Sequence, residues 1–205
     1  FGPTREPSSI DEPVRNRTIA TYRAEGELAR RLGGSMVVVH PSARKVDLRA
    51  TADDLDARAS ALRRSLRQLA DLADAQGVMY LLENVPRDYH FGWDPPELAQ
   101  MIRQLDRSGV RMCFDVGHAH MTGDPARALD ACRDVVNYLH VTDNNRRGDL
   151  HLVPGQGTIN WDRLAESISR LPAETPAMLE LFESEAGLAE LVKTRLKSDL
   201  KRWLA

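Results

Sequence analysis

Residues Met112 to His120 read MCFDVGHAH. An apolar run climbs to Asp115 and is followed at once by Gly117, His118 and His120, so the segment reads as a strand that ends on metal-ligand side chains. Such an ending recurs in both directions along the chain. Upstream, Met36 to Val39 is a short β-branched run ending on His40-Pro41, and Val78 to Leu82 reads as a second covered strand, with Glu83-Asn84 at its end. Downstream, Val135 to Leu139 ends on His140, and Ala177 to Leu179 ends on Glu180. With Val110 to Phe114 this makes five short strands, mostly apolar rather than strictly alternating, with Arg111 and Asn137 the polar members, as in strands covered on both faces.

Helical patterns separate them. Residues 1 to 15, with Pro3, Pro7 and Pro13, read as an irregular connection, and a helix is predicted from about Asn16 to Leu32. Its expected buried side carries Ala20, Ala24, Leu28 and Leu32, and Gly33-Gly34 stops it. Thr51 and Asp54 have capping-box-like spacing ahead of a stripe of Leu55, Ala59, Leu62, Leu66, Leu69 and Ala73. Asp94-Pro95-Pro96-Glu97 starts a helix running to about Arg107, Asp124-Pro125 starts another, and Asn160 caps a third after a long polar loop from Thr142 to Gly157. Leu188, Leu191, Val192, Leu196, Leu200 and Leu204 form the stripe of a final helix.

Strand and helix therefore alternate five times, which predicts a parallel sheet with helices outside it. An open doubly wound sheet is the alternative, but it gathers its site at one switch point. A ligand-type residue after every strand suits a (β/α)8 TIM barrel, where all strand ends face one mouth. A closed barrel has eight strands in about 250 residues, and five strands alone leave two open edges. The start Phe1-Gly2-Pro3-Thr4, without Met, reads as a cut. Residues 1–205 are thus expected to form a single domain, an N-terminally truncated barrel covering about strands 4 to 8. Three strands, roughly 60 to 80 residues at about 30 per βα unit, are expected to be missing. Alone, such a fragment is expected to aggregate or to form a homo-oligomer through its edges.

With 205 residues, 42% of them hydrophobic, the chain can bury one large core. A net charge of −2 and a pI near 6.3 give no electrostatic reason to expect nucleic acid as a partner. Cys113 and Cys132 lack zinc-ribbon or CxxC spacing, which fits reduced thiols in a cytoplasmic setting. No apolar run approaches the roughly 20 residues needed to cross a bilayer.

Collected in order, the strand-end residues are His40, Glu83, Asp115 with His118, His140 and Glu180, to which the long loop adds Asp149 and His151. This is a nitrogen and oxygen set without thiolate. Imidazole with carboxylate suits Zn²⁺, Mn²⁺, Co²⁺ or Fe²⁺, whereas oxygen alone points to Mg²⁺ or Ca²⁺. Carboxylates at the ends of apolar strands are costly to bury unless a cation offsets them. Each residue alone has a plain structural explanation: a hydrogen-bonded loop histidine, an Arg-paired glutamate, a turn-capping aspartate. Recurrence at one position, strand after strand, is what predicts a metal site. His90 is set aside as a loop residue and His120 as part of the wall.

The segments VVVHPS from Val37, LLENVP from Leu81, FDVGHAH from Phe114, LHVTDN from Leu139, GDLHLVPGQGTINW from Gly148 and MLELF from Met178 resemble the xylose isomerase-like TIM-barrel superfamily. That group holds sugar isomerases and epimerases, sugar phosphate isomerase/epimerase-like proteins and endonuclease IV. Resemblance to the epimerases implies four metal ligands, Glu83, Asp115, His140 and Glu180, with Glu83 and Glu180 also the catalytic acid/base pair and Arg146 touching substrate. Resemblance to endonuclease IV implies a trinuclear zinc set drawn from His40, Glu83, Asp115, His118, His140, Asp149, His151 and Glu180.

Two activities follow as expectations. The first is a divalent-metal-dependent isomerase or epimerase of a small-molecule sugar or sugar phosphate, with Zn or Mn foremost and Co or Mg as alternatives. The ion would polarise the carbonyl and stabilise an enediolate. If the substrate is phosphorylated, Gly155-Gln156-Gly157-Thr158 is a candidate phosphate cradle, with a simple tight turn as the alternative. The second is an endonuclease IV-like phosphodiesterase, an AP endonuclease with a multinuclear zinc site. The acidic balance and the lack of a basic, aromatic-interleaved loop count against it.

Overall fold

Strands β1 (Met36–Val39), β2 (Met79–Glu83), β3 (Val110–Asp115), β4 (Val136–Val141) and β5 (Ala177–Leu179) pair in sequence order, all parallel, in one sheet. The computed structural model describes residues 5–44 and 52–182, with 187 and 189. The final leucine stripe and the Thr51 cap lie outside the described residues. The helices are α1 (Glu12–Arg31), α2 (Ala52–Gln76), α3 (Pro95–Leu105), α4 (Val116–Thr122), α5 (Pro125–Cys132) and α6 (Trp161–Ile168). This is a TIM-barrel-like α/β fold in which the strands form a curled half-barrel.

Strand side chains alternate between two faces. Tyr80 and Leu82 of β2, Met112 and Phe114 of β3, and Leu139 and Val141 of β4 enter one core with Leu62, Leu66 and Leu69 of α2 and Leu98 and Ile102 of α3. The intervening Leu81, Glu83, Cys113, Asp115 and His140 point to the other, concave face. The expected α2 stripe is thus in place. Because β1 to β4 are in parallel register, their C-terminal ends line up and bring the polar residues to one rim.

Helix α1 departs from expectation in extent and in face. It starts at Glu12 because the Asp11 carboxylate accepts the Val14 N–H at 3.2 Å, and Pro13 sits in the first turn, where its missing N–H costs nothing. Its buried face carries Arg15, Thr18, Ile19, Tyr22 and Gly26, whereas Leu28 and Leu32 are exposed. The polar members of that face are satisfied locally. Arg15 donates to the Ser9 carbonyl at 2.7 Å, and Thr18 accepts the Glu6 N–H at 3.0 Å. Gly26 permits close approach to β2, since a Cβ there would meet the Tyr80 hydroxyl at 2.5 Å.

Helix α4 follows β3 without a loop, an element the sequence reading left out. Seven residues are too few to show a helical period. No helix among the described residues is long and apolar enough to cross a membrane.

Candidate metal centre

Glu83 closes β2, Asp115 closes β3, His140 lies one residue inside the end of β4, and Glu180 follows β5. One ligand atom from each lies within 4.8 Å of one from every other. His140 Nδ1 is 2.9 Å from Glu83 Oε1, 3.3 Å from Glu180 Oε2 and 3.9 Å from Asp115 Oδ2. His40 Nε2 reaches the other Glu83 oxygen at 3.1 Å. Glu83, Asp115 and His140 are all less than 5% exposed, while the Glu180 side chain is 36% exposed.

Asp115 has two tasks. Its Oδ1 caps α4 by accepting the His118 N–H at 2.6 Å, and its Oδ2 is buried without a hydrogen bond. His140 Nε2 is likewise buried and unbonded. Buried polar atoms without partners are uncommon, and Asp115 Oδ2 belongs to a cluster of the size a divalent ion draws together, which His140 meets through Nδ1. Ligands about 2.0 to 2.2 Å from an ion lie roughly 3 to 4 Å apart.

A second group forms alongside. The loop histidine His151 and the α4 histidine His118 turn Nε2 toward Asp149 Oδ2, at 3.2 and 3.3 Å. Each has its Nδ1–H donated to a backbone carbonyl, His118 to Asn84 and His151 to Glu180, both at 2.8 Å. Fixing Nδ1–H in this way leaves Nε2 as the ligating atom. The other oxygen, Asp149 Oδ1, is buried and unbonded.

Electrostatics follow the same division. Burial would raise the Glu83 carboxyl, but hydrogen bonds from His140 and His40 bring it well below the ordinary range. Burial pushes Asp115 up to about 6. His118 would be lowered by burial, yet the charges of Asp115 and Asp149 raise it to about 10. The hydrogen bond to Asp149 raises His151 to about 9. Both donor sets, carboxylate with imidazole and close together, have the chemistry that fits a divalent cation.

The sequence model of the xylose isomerase-like TIM barrel family matches residues 1–198. The chain belongs to that family. It is 29% identical over 170 residues to an uncharacterized protein of Methanocaldococcus jannaschii, covering 80% of this chain and 57% of that protein. It is 26% identical over 176 residues to the D-psicose 3-epimerase of Enterocloster bolteae, covering 84% of this chain and 52% of the epimerase. The chain thus spans about half the length of these curated relatives. Among solved structures, a D-tagatose 3-epimerase-like protein superposes with a TM-score of 0.81 at 25% identity, over 96% of this chain and 75% of that one.

Within this family member, every strand-end residue singled out from the sequence reaches one of the two groups or their border. Arg146 is turned toward α4: Nη2 donates to the Gly123 carbonyl at 2.7 Å and Nε to His120 Nδ1 at 3.5 Å. The Gly155–Thr158 cradle is not free for a phosphate. Asp143 fills it, accepting from Gly155 N at 2.9 Å, Ile159 N at 3.3 Å and Trp161 Nε1 at 2.8 Å. A Cβ at Gly157 would collide with that carboxylate, so the glycine serves the tight wrapping of the loop around Asp143.

Other contributors escaped the sequence reading. Cys113 brings a thiol within 4.8 Å of the Glu83 and His140 ligand atoms, so the neighbourhood is not purely nitrogen and oxygen. The two-residue alternation with Asp115 signals this placement. Burial, then the charges of Glu83 and Asp115, push that thiol well up and keep it protonated. Phe182, two residues after Glu180, is 77% exposed and stacks on the His151 ring at 4.0 Å.

Proposed function

We propose that this chain carries the metal-binding and proton-transfer part of a divalent-metal-dependent sugar or sugar phosphate isomerase/epimerase. The observation that carries the reading is the convergence of Glu83, Asp115, His140 and Glu180 on one point, with Asp115 Oδ2 unsatisfied. Its relatives support it: similar proteins include a D-psicose 3-epimerase and a D-tagatose 3-epimerase-like protein. Zn²⁺ or Mn²⁺ suits the mixed donors best, with Co²⁺ or Mg²⁺ as alternatives.

An ion held by these four residues would supply Lewis acidity to the carbonyl and hydroxyl oxygens of a ketose, lowering the cost of removing the intervening proton. Glu83 and Glu180 arrive from strands three apart in the sheet, so they can serve as base and acid on two sides of a substrate carbon. Glu83 is buried, and its hydrogen bonds with two imidazoles hold its carboxylate ionised and fixed against that burial. Glu180 is the more exposed and has one imidazole neighbour in this cluster, which suits exchange with an entering substrate. Arg146 would donate hydrogen bonds to substrate oxygens.

A second reading rests on the His118–Asp149–His151 group. A further metal there, with His40 beside Glu83, would build the multinuclear zinc site of an endonuclease IV-like phosphodiesterase. One experiment separates the two. Metal-loaded full-length protein should exchange the proton next to the carbonyl of ketoses with solvent, and Glu83→Gln and Glu180→Gln should each abolish the exchange. About three zinc ions per chain together with cleavage of an abasic-site duplex, and no exchange, would overturn the isomerase reading.

A further inference from the structure

A further set of ligand atoms closes to within 4.8 Å of one another, and it contains sulfur: Glu83, Cys113 and His140. It shares two residues with the cluster at the strand ends and has the thiol in place of Asp115 and Glu180. All three residues are buried, Cys113 completely.

The register of the sheet brings them together. Cys113 lies two residues before Asp115 on β3, so both side chains enter the concave face, with the thiol about 6 to 7 Å nearer the start of the strand. Its neighbour on β2 is Glu83 and its neighbour on β4 is Tyr138, whereas Asp115 pairs with His140. Glu83 is therefore level with the thiol, and His140 is one layer above it. The imidazole is held over this level by two contacts: Nδ1 meets Glu83 Oε1 at 2.9 Å, and the ring meets that of Tyr138 edge-on with centroids 5.8 Å apart. Leu81, two residues before Glu83 on the same face, is fully buried. The sulfur thus sits between an apolar layer and the carboxylates. Two observations point to a cation at this depth. The charges of Glu83, Asp115 and Glu180 all bear on the sulfur, and Asp115 Oδ2 is buried without a hydrogen bond.

We infer that the chain has a second, deeper metal position overlapping the carboxylate one, in which Glu83, Cys113 and His140 hold a thiophilic divalent ion such as Zn²⁺ or Cd²⁺. Hard ions such as Mn²⁺ or Mg²⁺ stay with the carboxylates of Asp115 and Glu180, because thiolate selects soft and borderline ions. A tetrahedral ion with sulfur at about 2.3 Å and nitrogen or oxygen at about 2.1 Å holds its ligand atoms roughly 3.5 Å apart. The three atoms need only draw together by about an ångström. Binding forms the sulfur–metal bond as the thiol proton leaves to solvent. The kind of ion thereby sets its depth: a soft ion sinks away from Glu180 and leaves that carboxylate free, and a hard ion engages it. The inference deepens the metal-centre reading and rests on it for Glu83 and His140 as ligands.

The test titrates metal-free full-length protein with Cd²⁺. The wild type should develop sulfur-to-metal charge-transfer absorption in the ultraviolet and a cadmium NMR resonance shifted downfield by thiolate. Cys113 and Cys132 are the chain's two cysteines, so Cys132→Ser should keep both signals and Cys113→Ser should lose both. Cys113→Ser should also weaken Cd²⁺ binding about ten- to a hundredfold, with Mn²⁺ affinity, read by electron paramagnetic resonance, unchanged. The NMR measurement needs no variant, so it decides even if Cys113→Ser misfolds. A resonance in the range of nitrogen and oxygen ligands alone overturns the inference, as does an absorption band that persists in Cys113→Ser or disappears in Cys132→Ser. Mn²⁺ binding with no sulfur signature from Cd²⁺ overturns the deep position and leaves the four-residue centre standing. A sulfur signature without Mn²⁺ binding supports the deep position and counts against the four-residue centre. Failure to bind either ion overturns both.

Discussion

Asn84 grips the backbone of Asp115 with both ends of its side-chain amide: Oδ1 accepts the Asp115 N–H and Nδ2 donates to the Asp115 carbonyl, each at 2.9 Å. The Asn84 carbonyl also accepts His118 Nδ1–H, so one buried residue sets the aim of a ligand in each group. Asn84→Ala removes two hydrogen bonds and takes from the buried Asp115 N–H its side-chain acceptor, a loss of about 1 to 3 kcal/mol in unfolding free energy. Metal affinity at both groups should fall about ten- to a hundredfold. Urea titration and competitive chelation measure the two effects; unchanged affinity with lowered stability would separate Asn84 from metal binding.

Asp143 is the hub of the loop that carries Asp149 and His151. Replacing it with alanine strands the N–H groups of Gly155, Ile159 and Trp161, at a cost of about 3 kcal/mol. The loop should become cleavable by protease between Asn144 and Thr158, and the His118–Asp149–His151 group should lose its ion before the Glu83–Asp115–His140–Glu180 group does. Limited proteolysis and stepwise metal titration test this order.

Metal binding at the His118–Asp149–His151 group should be steeply pH-dependent. In the metal-free protein His118 and His151 titrate at about 10 and about 9, above the ordinary imidazole value because of Asp149 and Asp115. Both imidazoles are therefore protonated at neutral pH, and an ion must displace those protons. Affinity rises with pH up to about 9 to 10 and weakens on acidification, with about two protons released per ion at pH 7. The sign for stability is opposite. The raised values stabilise the metal-free fold fully below the unfolded imidazole value, and that contribution is lost as pH rises through the folded ones. Calorimetry in buffers of different ionisation enthalpy counts the protons; no release would mean that the imidazoles are already neutral.

Cys113 and Cys132 are both buried with raised thiol values. Neither should react with a disulfide reagent in the native protein, and both should react after denaturation. Reaction of one thiol per native chain would place Cys113 in contact with solvent through the metal centre.

The strand ends are legible in the sequence because each candidate ligand follows a largely apolar run too short for a helix and bounded by helical patterns. The sequence is less informative where polar groups pack. The α1 face was misread because Arg15 and Thr18 are buried through hydrogen bonds to Ser9 and Glu6, whereas Leu28 and Leu32 are left outside. The glycine-rich loop admits both a phosphate cradle and a tight turn from its sequence, and the turn is what forms, wrapped around the carboxylate of Asp143. The division of these residues into two groups is beyond the sequence, because the aim of Nε2 of His118 and His151 depends on carbonyls 34 and 29 residues away.

Because Asp115 ends a strand, begins a helix and keeps its spare oxygen unbonded beside His140, its replacement by another residue type would unwind the helix start along with the proposed coordination. Glu83 is tied by two histidines and His140 is enclosed. For the metal centre proposed above, adaptation to a different ion is thereby channelled to Glu180, the one of the four whose side chain can change length or charge without dismantling the barrel rim.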